Sequence, residues 1–171
     1  MKTTTKRGMV LMDKHASRMT PIDDNDPNCD KTDVALGIYN VDPDLVTEKL
    51  SIEPTFTSKI GVEGIMPSGA RRVGRTNSWI LASESWFRGV PNPVSSKDIR
   101  THLEWLLTKL TPRCEQLLEL QQIPGIKMRI ICSWWSMEKD GGSFTLWPEQ
   151  MEKMAQLNLE CDFGISYYGD D

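Results

Sequence analysis

IKMRIICSWWSMEKDGGSFTLWPEQMEKMAQLNLECDFGISYY, residues 126–168, is the stretch whose reading decides the fold. Ile126, Met128, Ile130, Cys132 and Trp134 alternate with Lys127, Arg129 and Ser133, the period-two pattern of a strand with one buried face. Pro124 and Gly125 punctuate its start. Asp140, Gly141 and Gly142 predict a turn, and Pro148 suits the first position of a helix that carries Met151, Met154 and Ala155 at helical spacing and ends near Asn158. Leu159, Cys161, Phe163, Ile165 and Tyr167 then alternate with Glu160, Asp162, Gly164, Ser166 and Tyr168, which predicts a second strand. A strand, helix, strand unit cannot bury its apolar faces alone, so the rest of the chain must cover it.

The cover is readable upstream. Val34, Leu36 and Ile38 alternate with Ala35, Gly37 and Tyr39 to predict a first strand. Asp42 followed by Pro43 is a helix start with a capping side chain and a preset backbone angle. Val41 and Val46 can staple that cap, with Leu45, Val46 and Leu50 facing inward and Pro54 beyond the end. Residues 78–85 predict another strand, with Trp79, Leu81 and Ser83 against Ile80 and Ala82. Ser95 and Asp98 have capping-box spacing ahead of Ile99, Leu103, Leu106, Leu107 and Leu110, the strongest amphipathic helix in the chain. Pro112 interrupts it, and Cys114, Leu117 and Leu118 continue as a second segment. Cys161, Phe163 and Ile165 are expected on one buried sheet face beneath Leu103, Leu106 and Leu107. The order is strand, helix, strand, long broken helix, strand, helix, strand. This predicts an α+β fold: a mainly antiparallel four-stranded sheet with helices on one face, ferredoxin-like with an inserted long helix.

With 171 residues, 39% hydrophobic and 26% charged, the chain is long enough for one domain with a sizeable core. The net charge of -4 argues against a general nucleic-acid binder, whose phosphate contacts require a basic excess. Cys29, Cys114, Cys132 and Cys161 stand far apart without a CxxC pair, a pattern of buried free thiols more than of a metal site or a disulfide framework. The apolar run from Gly8 to Met12 is too short for a signal sequence or a membrane span, so the expected setting is cytoplasmic with no membrane partner. Residues 1–31 are polar and aperiodic, with the acidic run Asp23, Asp24, Asn25, Asp26, and are read as a flexible N-terminal extension ahead of a single domain over residues 32–171.

Several of these features carry a resemblance. The first strand followed by Asp42, Pro43, Leu45, Leu50, Ile52, Glu53 and Pro54, the Trp79 strand, the Leu103–Leu118 helix and the Trp147–Tyr168 region resemble the bacterial domain of unknown function called DUF4279. The match spans roughly residues 33 to 168. The resemblance implies a small α+β domain of bacteria or their phages, and it supplies neither an activity nor site residues.

Only two histidines are present. His15 falls in the N-terminal extension and His102 is expected on the surface of the long helix, so imidazole acid-base or nucleophile-activating arrangements have few candidates. Asp42, Asp44 and Glu48 have the charges for a cation site, but acids at a helix start are favoured there by capping and the helix dipole. Gly61, Gly64, Gly69 and Gly74 have neither Walker nor dinucleotide spacing, so no nucleotide cofactor is expected.

What remains is a basic loop and a surplus of indoles. Residues 55–77 are rich in Gly, Ser and Pro and carry Lys59, Arg71, Arg72 and Arg75 against the single acid Glu63. Guanidinium forks bind carboxylates or phosphates in paired geometry, and the neighbouring Trp79 offers a stacking surface. Trp134 and Trp135 are adjacent on a strand and must point to opposite faces, which puts one of them outside the helix-covered core and makes Trp135 a candidate contact. The sequence therefore points to a non-catalytic binding protein that sequesters or neutralises a macromolecular partner, as immunity and anti-defence proteins do. Its partner-binding candidates are Arg71, Arg72, Arg75, Trp79 and Trp135, its expected partner is a protein, and no cofactor or metal is called for. Two alternatives stand beside it: an anion or single-stranded nucleic-acid module using the Arg71–Trp79 loop, and a hydrolase whose acids or cysteines converge only in the fold.

Overall fold

A computed structural model of the protein describes residues 18–87, 89–137 and 143–167. Along the chain lie β1 (Cys29–Tyr39), α1 (Pro43–Leu50), β2 (Phe56–Ser58), β3 (Glu63–Ile65), β4 (Arg71–Val73), β5 (Ser78–Ala82), α2 (Ile99–Leu110), α3 (Cys114–Leu120), β6 (Lys127–Ser136), α4 (Pro148–Gln156) and β7 (Glu160–Tyr167). The expected turn at Asp140–Gly142, the apolar run 8–12, His15 and Tyr168 lie outside the described residues.

β2, β5, β1, β6 and β7 form one five-stranded sheet in that order, and β3 and β4 form a separate hairpin. β1 takes the centre because Val34, Leu36 and Ile38 are buried on one face while Ala35 is buried on the other. It pairs antiparallel with both β5 and β6, and β6 pairs parallel with β7 across the α4 crossover. The α+β class with helices over the sheet is therefore observed, but two expected details differ. The sheet has five strands because Phe56–Ser58 adds to the edge of β5 through residues too few to show a period. A ferredoxin-like split places another strand between the two of each strand, helix, strand unit; here β6 and β7 are direct neighbours.

The core lies between the helices and the face of the sheet carrying Val34, Leu36, Ile38, Trp79, Leu81, Ile130 and Cys132. α2 contributes Ile99, Leu103, Leu106, Leu107 and Leu110, all essentially inaccessible. Pro112 falls in a 3-10 turn over Thr111–Arg113, which tilts the chain into α3 and brings Leu117 and Leu120 into the same core. Asp98 itself, not Ser95, caps α2, its side chain accepting from the Arg100 N–H. In α1, Val46 and Leu50 point inward as expected, whereas Leu45 is exposed.

β7 departs furthest from the expected packing. Cys161 touches the core, but Phe163 and Ile165 are 45% and 50% exposed. They pair with Cys132 and Trp134 on the helix side of the sheet, yet β7 is the edge strand and the cover of α2 stops short of it.

Residues 18–31 are not a loose extension. Cys29 is fully buried and opens β1, Arg18 pairs with Glu149 on α4, and the Arg100 guanidinium donates to the Thr20 and Pro21 carbonyls at 2.7 and 2.6 Å. These contacts come from isolated polar groups, which leave no apolar period in the sequence.

Candidate functional site

The basic loop is an ordered structure built on glycine geometry. Gly74 accepts from Gly61 and donates to the Val62 carbonyl at 3.0 and 2.9 Å, clamping the start and end of the hairpin together. A Cβ at Gly74 would meet the Lys59 carbonyl oxygen at 2.0 Å, so no other residue fits there. At the far end Gly69, with φ +82°, donates to the Met66 carbonyl and closes the turn between β3 and β4. The Asn77 side chain accepts from the Ile60 N–H at 2.8 Å and ties this base to the start of β5.

Lys59 also borders the groove beside the hairpin, but its charge is taken up within the chain. Its ammonium pairs with Asp42 at 3.1 Å and with Asp44, and Asp42 also caps α1 by accepting from the Asp44 N–H. That backbone hydrogen bond, followed by Lys59, holds the Asp42 carboxyl below its ordinary range. The acidic helix start is thus a cap with a lysine counter-ion.

The three arginines are not equivalent. Arg71 lies 3.5 Å from Glu63 across the hairpin, while Arg72, one residue along β4, projects from the opposite face. Arg72 and Arg75 line a groove of about 900 Å³ between the hairpin and β2, together with Phe56, Ile65 and Val73. Both arginines are exposed, and among the described residues neither has an ion-pair partner. Ile60, Val62, Ile65 and Val73 are each more than half exposed, so the hairpin presents apolar side chains beside two free guanidinium groups.

Trp79 takes no part in this surface. It is wholly buried on the helix side of β5, its Nε1 donating to Thr47 Oγ1 at 3.0 Å. Strand alternation turns it inward four residues after Arg75, and a fully enclosed indole cannot stack on a ligand. Trp134 is buried and Trp135 lies half-buried on the opposite face, with the Lys31 ammonium 5.2 Å from its ring. Trp135 pairs with Lys31 at one end of β1, whereas the hairpin is rooted beside Ser78 and Tyr39 at the other. Eight residues of strand separate the two ends, roughly 25 Å, so Arg72 and Trp135 do not share a site.

Sequence reasoning missed two groupings. His102 is buried, not on the surface: its Nδ1 lies 2.8 Å from Ser83 Oγ and its Nε2 2.8 Å from the Ser96 carbonyl oxygen. Ser83 Oγ also accepts from the Val34 N–H and donates to Asp33, whose carboxylate further accepts from the Glu84 N–H and the Trp86 indole. A serine beside a histidine suggests a nucleophile and its base, but Ser83 is fully buried and every contact serves to join β1, β5 and α2. The second grouping is a cleft of about 720 Å³ between α2 and α4, walled by Trp105 and Trp147. The spacing of Trp105 within α2 places it at the margin of the apolar stripe, a signal available in the sequence.

The family described as Domain of unknown function (DUF4279) matches residues 30–168. The chain belongs to the DUF4279 family. The hairpin and the buried Asp33–Ser83–His102 chain fall inside the DUF4279 match, as do the walls of the α2–α4 cleft other than Ile22. No curated protein and no solved structure matches this DUF4279 chain. Among the described residues no helix is long and apolar enough to cross a membrane.

Proposed function

We propose that this DUF4279 protein is a non-catalytic binding protein that sequesters or neutralises an acidic protein partner, and that the β3–β4 hairpin is its recognition surface. The observation that carries this reading is the pair Arg72 and Arg75, unpaired within the described chain and lining a groove beside exposed Ile65 and Val73. Arginine next to apolar side chains suits a polypeptide that offers a carboxylate and an aliphatic contact together. The immunity or anti-defence role belongs to this proposal as the biological form such sequestration takes.

The second reading, a single-stranded nucleic-acid module, loses its stacking surface with the burial of Trp79 and keeps only Phe56 as an aromatic wall of the groove. The test is fluorescence anisotropy with two probes, an Asp/Glu-rich peptide bearing leucines and a single-stranded oligothymidylate. The expected result is peptide binding that weakens tenfold or more, about 1.4 kcal/mol, in Arg72→Ala/Arg75→Ala and changes little in Arg71→Ala. Preferential oligonucleotide binding with a steep salt dependence would replace the protein-partner reading with the nucleic-acid one.

A further inference from the structure

β7 is the long edge of the sheet, eight residues with β6 on one side and, among the described residues, no strand on the other. Edge strands are ordinarily guarded by lysine, proline or a bulge, because their unpaired N–H and C=O groups template another strand. Glu160–Tyr167 contains neither lysine nor proline, and its pairing with β6 runs without a register shift. Its two acids, Glu160 and Asp162, lie 3.7 and 3.3 Å from the guanidinium of Arg129 on the neighbouring strand and so are already countered within the chain. On the helix side, Phe163, Ile165 and Tyr167 extend the core face into solvent, with Phe144 tilted against Phe163 at 5.6 Å between ring centres.

We propose that this edge pairs with β7 of a second copy of the chain, antiparallel about a two-fold axis at Gly164, so that the two sheets become continuous. The sequence is self-complementary in that register. Phe163 meets Ile165 of the other copy, Cys161 meets Tyr167 on the same apolar side, and Asp162 meets Ser166 on the opposite side. Centring the pair on Cys161 instead would set Glu160 against Asp162, acid on acid, and would leave Phe163 and Ile165 largely unpaired. Gly164 at the axis leaves room for close approach, since a Cβ there would meet only the Cys132 carbonyl oxygen, at 4.0 Å. The other edge of the sheet, β2, is three residues long and adjoins the hairpin groove, so it offers no comparable template. This pairing is independent of the hairpin and of what the hairpin binds.

Size-exclusion chromatography with light scattering on the full chain tests the proposal. The wild type is expected to be a dimer, Ile165→Lys a monomer with an unchanged circular-dichroism spectrum, and Val73→Lys, on the hairpin, still a dimer. Gly164→Cys keeps the test decisive if Ile165→Lys misfolds: under mild oxidation it should form a disulfide-linked dimer on a non-reducing gel, and the wild type should not. A wild type that stays monomeric at its highest soluble concentration overturns the proposal. So does a dimer that survives Ile165→Lys or dissolves with Val73→Lys, or a Gly164→Cys chain that fails to cross-link.

Discussion

Arg100 clasps Asp98 from two residues away, its Nε 2.9 Å from one carboxylate oxygen while its terminal nitrogen reaches the other. The pair is almost wholly enclosed, with side-chain exposures of 4% and 8%. Asp98 simultaneously caps α2 and accepts from the Asp23 N–H, so one carboxylate fixes the start of the main core helix to the segment preceding β1. Enclosed pairs contribute little relative to well-packed apolar groups, but removing one partner strands the other charge.

Asp98 should make the fold acid-labile. Burial works against its charge, yet the hydrogen bond from Arg100 and the backbone N–H groups of Asp23 and Arg100 outweigh it and hold the carboxyl below its ordinary value. A depressed folded pKa gives stability that is complete above the unfolded value of about 3.9 and is lost as pH falls through the folded one. Urea midpoints measured from neutral pH down into this acid range should fall for the wild type. Asp98→Asn should be less stable at neutral pH by roughly 3 kcal/mol, with a flatter acid limb. An acid limb of equal steepness in both proteins would assign the lability to other carboxyls.

His102 should be needed for stability. The Ser96 carbonyl oxygen can only accept, which places a proton on His102 Nε2, and the Ser83 hydroxyl bridges the ring to Asp33. His102→Ala would leave the Ser96 oxygen and the Ser83 hydroxyl each short of a partner inside the fold, at a cost of about 2 kcal/mol or more. The check is the shift in denaturation midpoint. A variant as stable as the wild type would mean that water replaces the imidazole without loss.

The thiols should react in a definite order. Cys132 and Cys161 lie with their sulfurs 3.8 Å apart on adjacent strands. The Cys132 thiol, hydrogen-bonded to Cys161 and buried, is pushed far up, and the same hydrogen bond draws Cys161 below its ordinary value. Burial, then Asp26, pushes Cys29 to about 11. Thiolate is the reactive form, so mild iodoacetamide treatment followed by peptide mass mapping should find Cys161 alkylated well before Cys29 or Cys132. Equal labelling of Cys29 and Cys161 in the native protein would contradict the burial of the first strand's opening residue.

How legible each part was in the sequence follows from the range of the forces involved. The alternations at 34–39 and 126–134 are local and strong, so they and the Leu103–Leu110 helix coincide with β1, β6 and α2, although β1 starts earlier, at Cys29, and the strand read over 78–85 ends at Ala82. The three-residue strands at 56–58, 63–65 and 71–73 have no room for a period, and their pairing depends on glycine contacts such as Gly74 against Lys59. Alternation showed that Phe163 and Ile165 share a face with Cys161 but not how far the helices extend over the edge. Of the proposed contacts, Arg72 and Arg75 reached the surface groove, whereas Trp79, judged by nearness in sequence, went into the core. The Asp33–Ser83–His102 chain joins residues 50 and 19 positions apart, and no local pattern announces it.

The segment preceding β1 should add measurably to the stability of the domain. Arg100 gives two charged hydrogen bonds to the Thr20 and Pro21 carbonyls, Asp24 accepts from Ser96 and Thr101, and the Asp24 carbonyl accepts from Lys97. All of these seal the entry to α2, whose next turns supply Leu103, Leu106 and Leu107 to the core. A chain starting at Asn28 retains β1 and the hydrogen bond from the Met137 N–H to Asn28, yet leaves the nearly enclosed guanidinium without two of its acceptors. Hydrogen bonds to charged groups are each worth about 1.5–3 kcal/mol, and water reaching the uncovered site returns part of that. The truncated chain should therefore be less stable by about 3 kcal/mol, seen as a lower urea midpoint with little change in slope. Restoring residues 18–27 should recover the difference, and Asp24→Ala in the full chain should lose only a small part of it. A truncated chain with the midpoint of the full one would show instead that the segment rests on the domain without holding α2 in place.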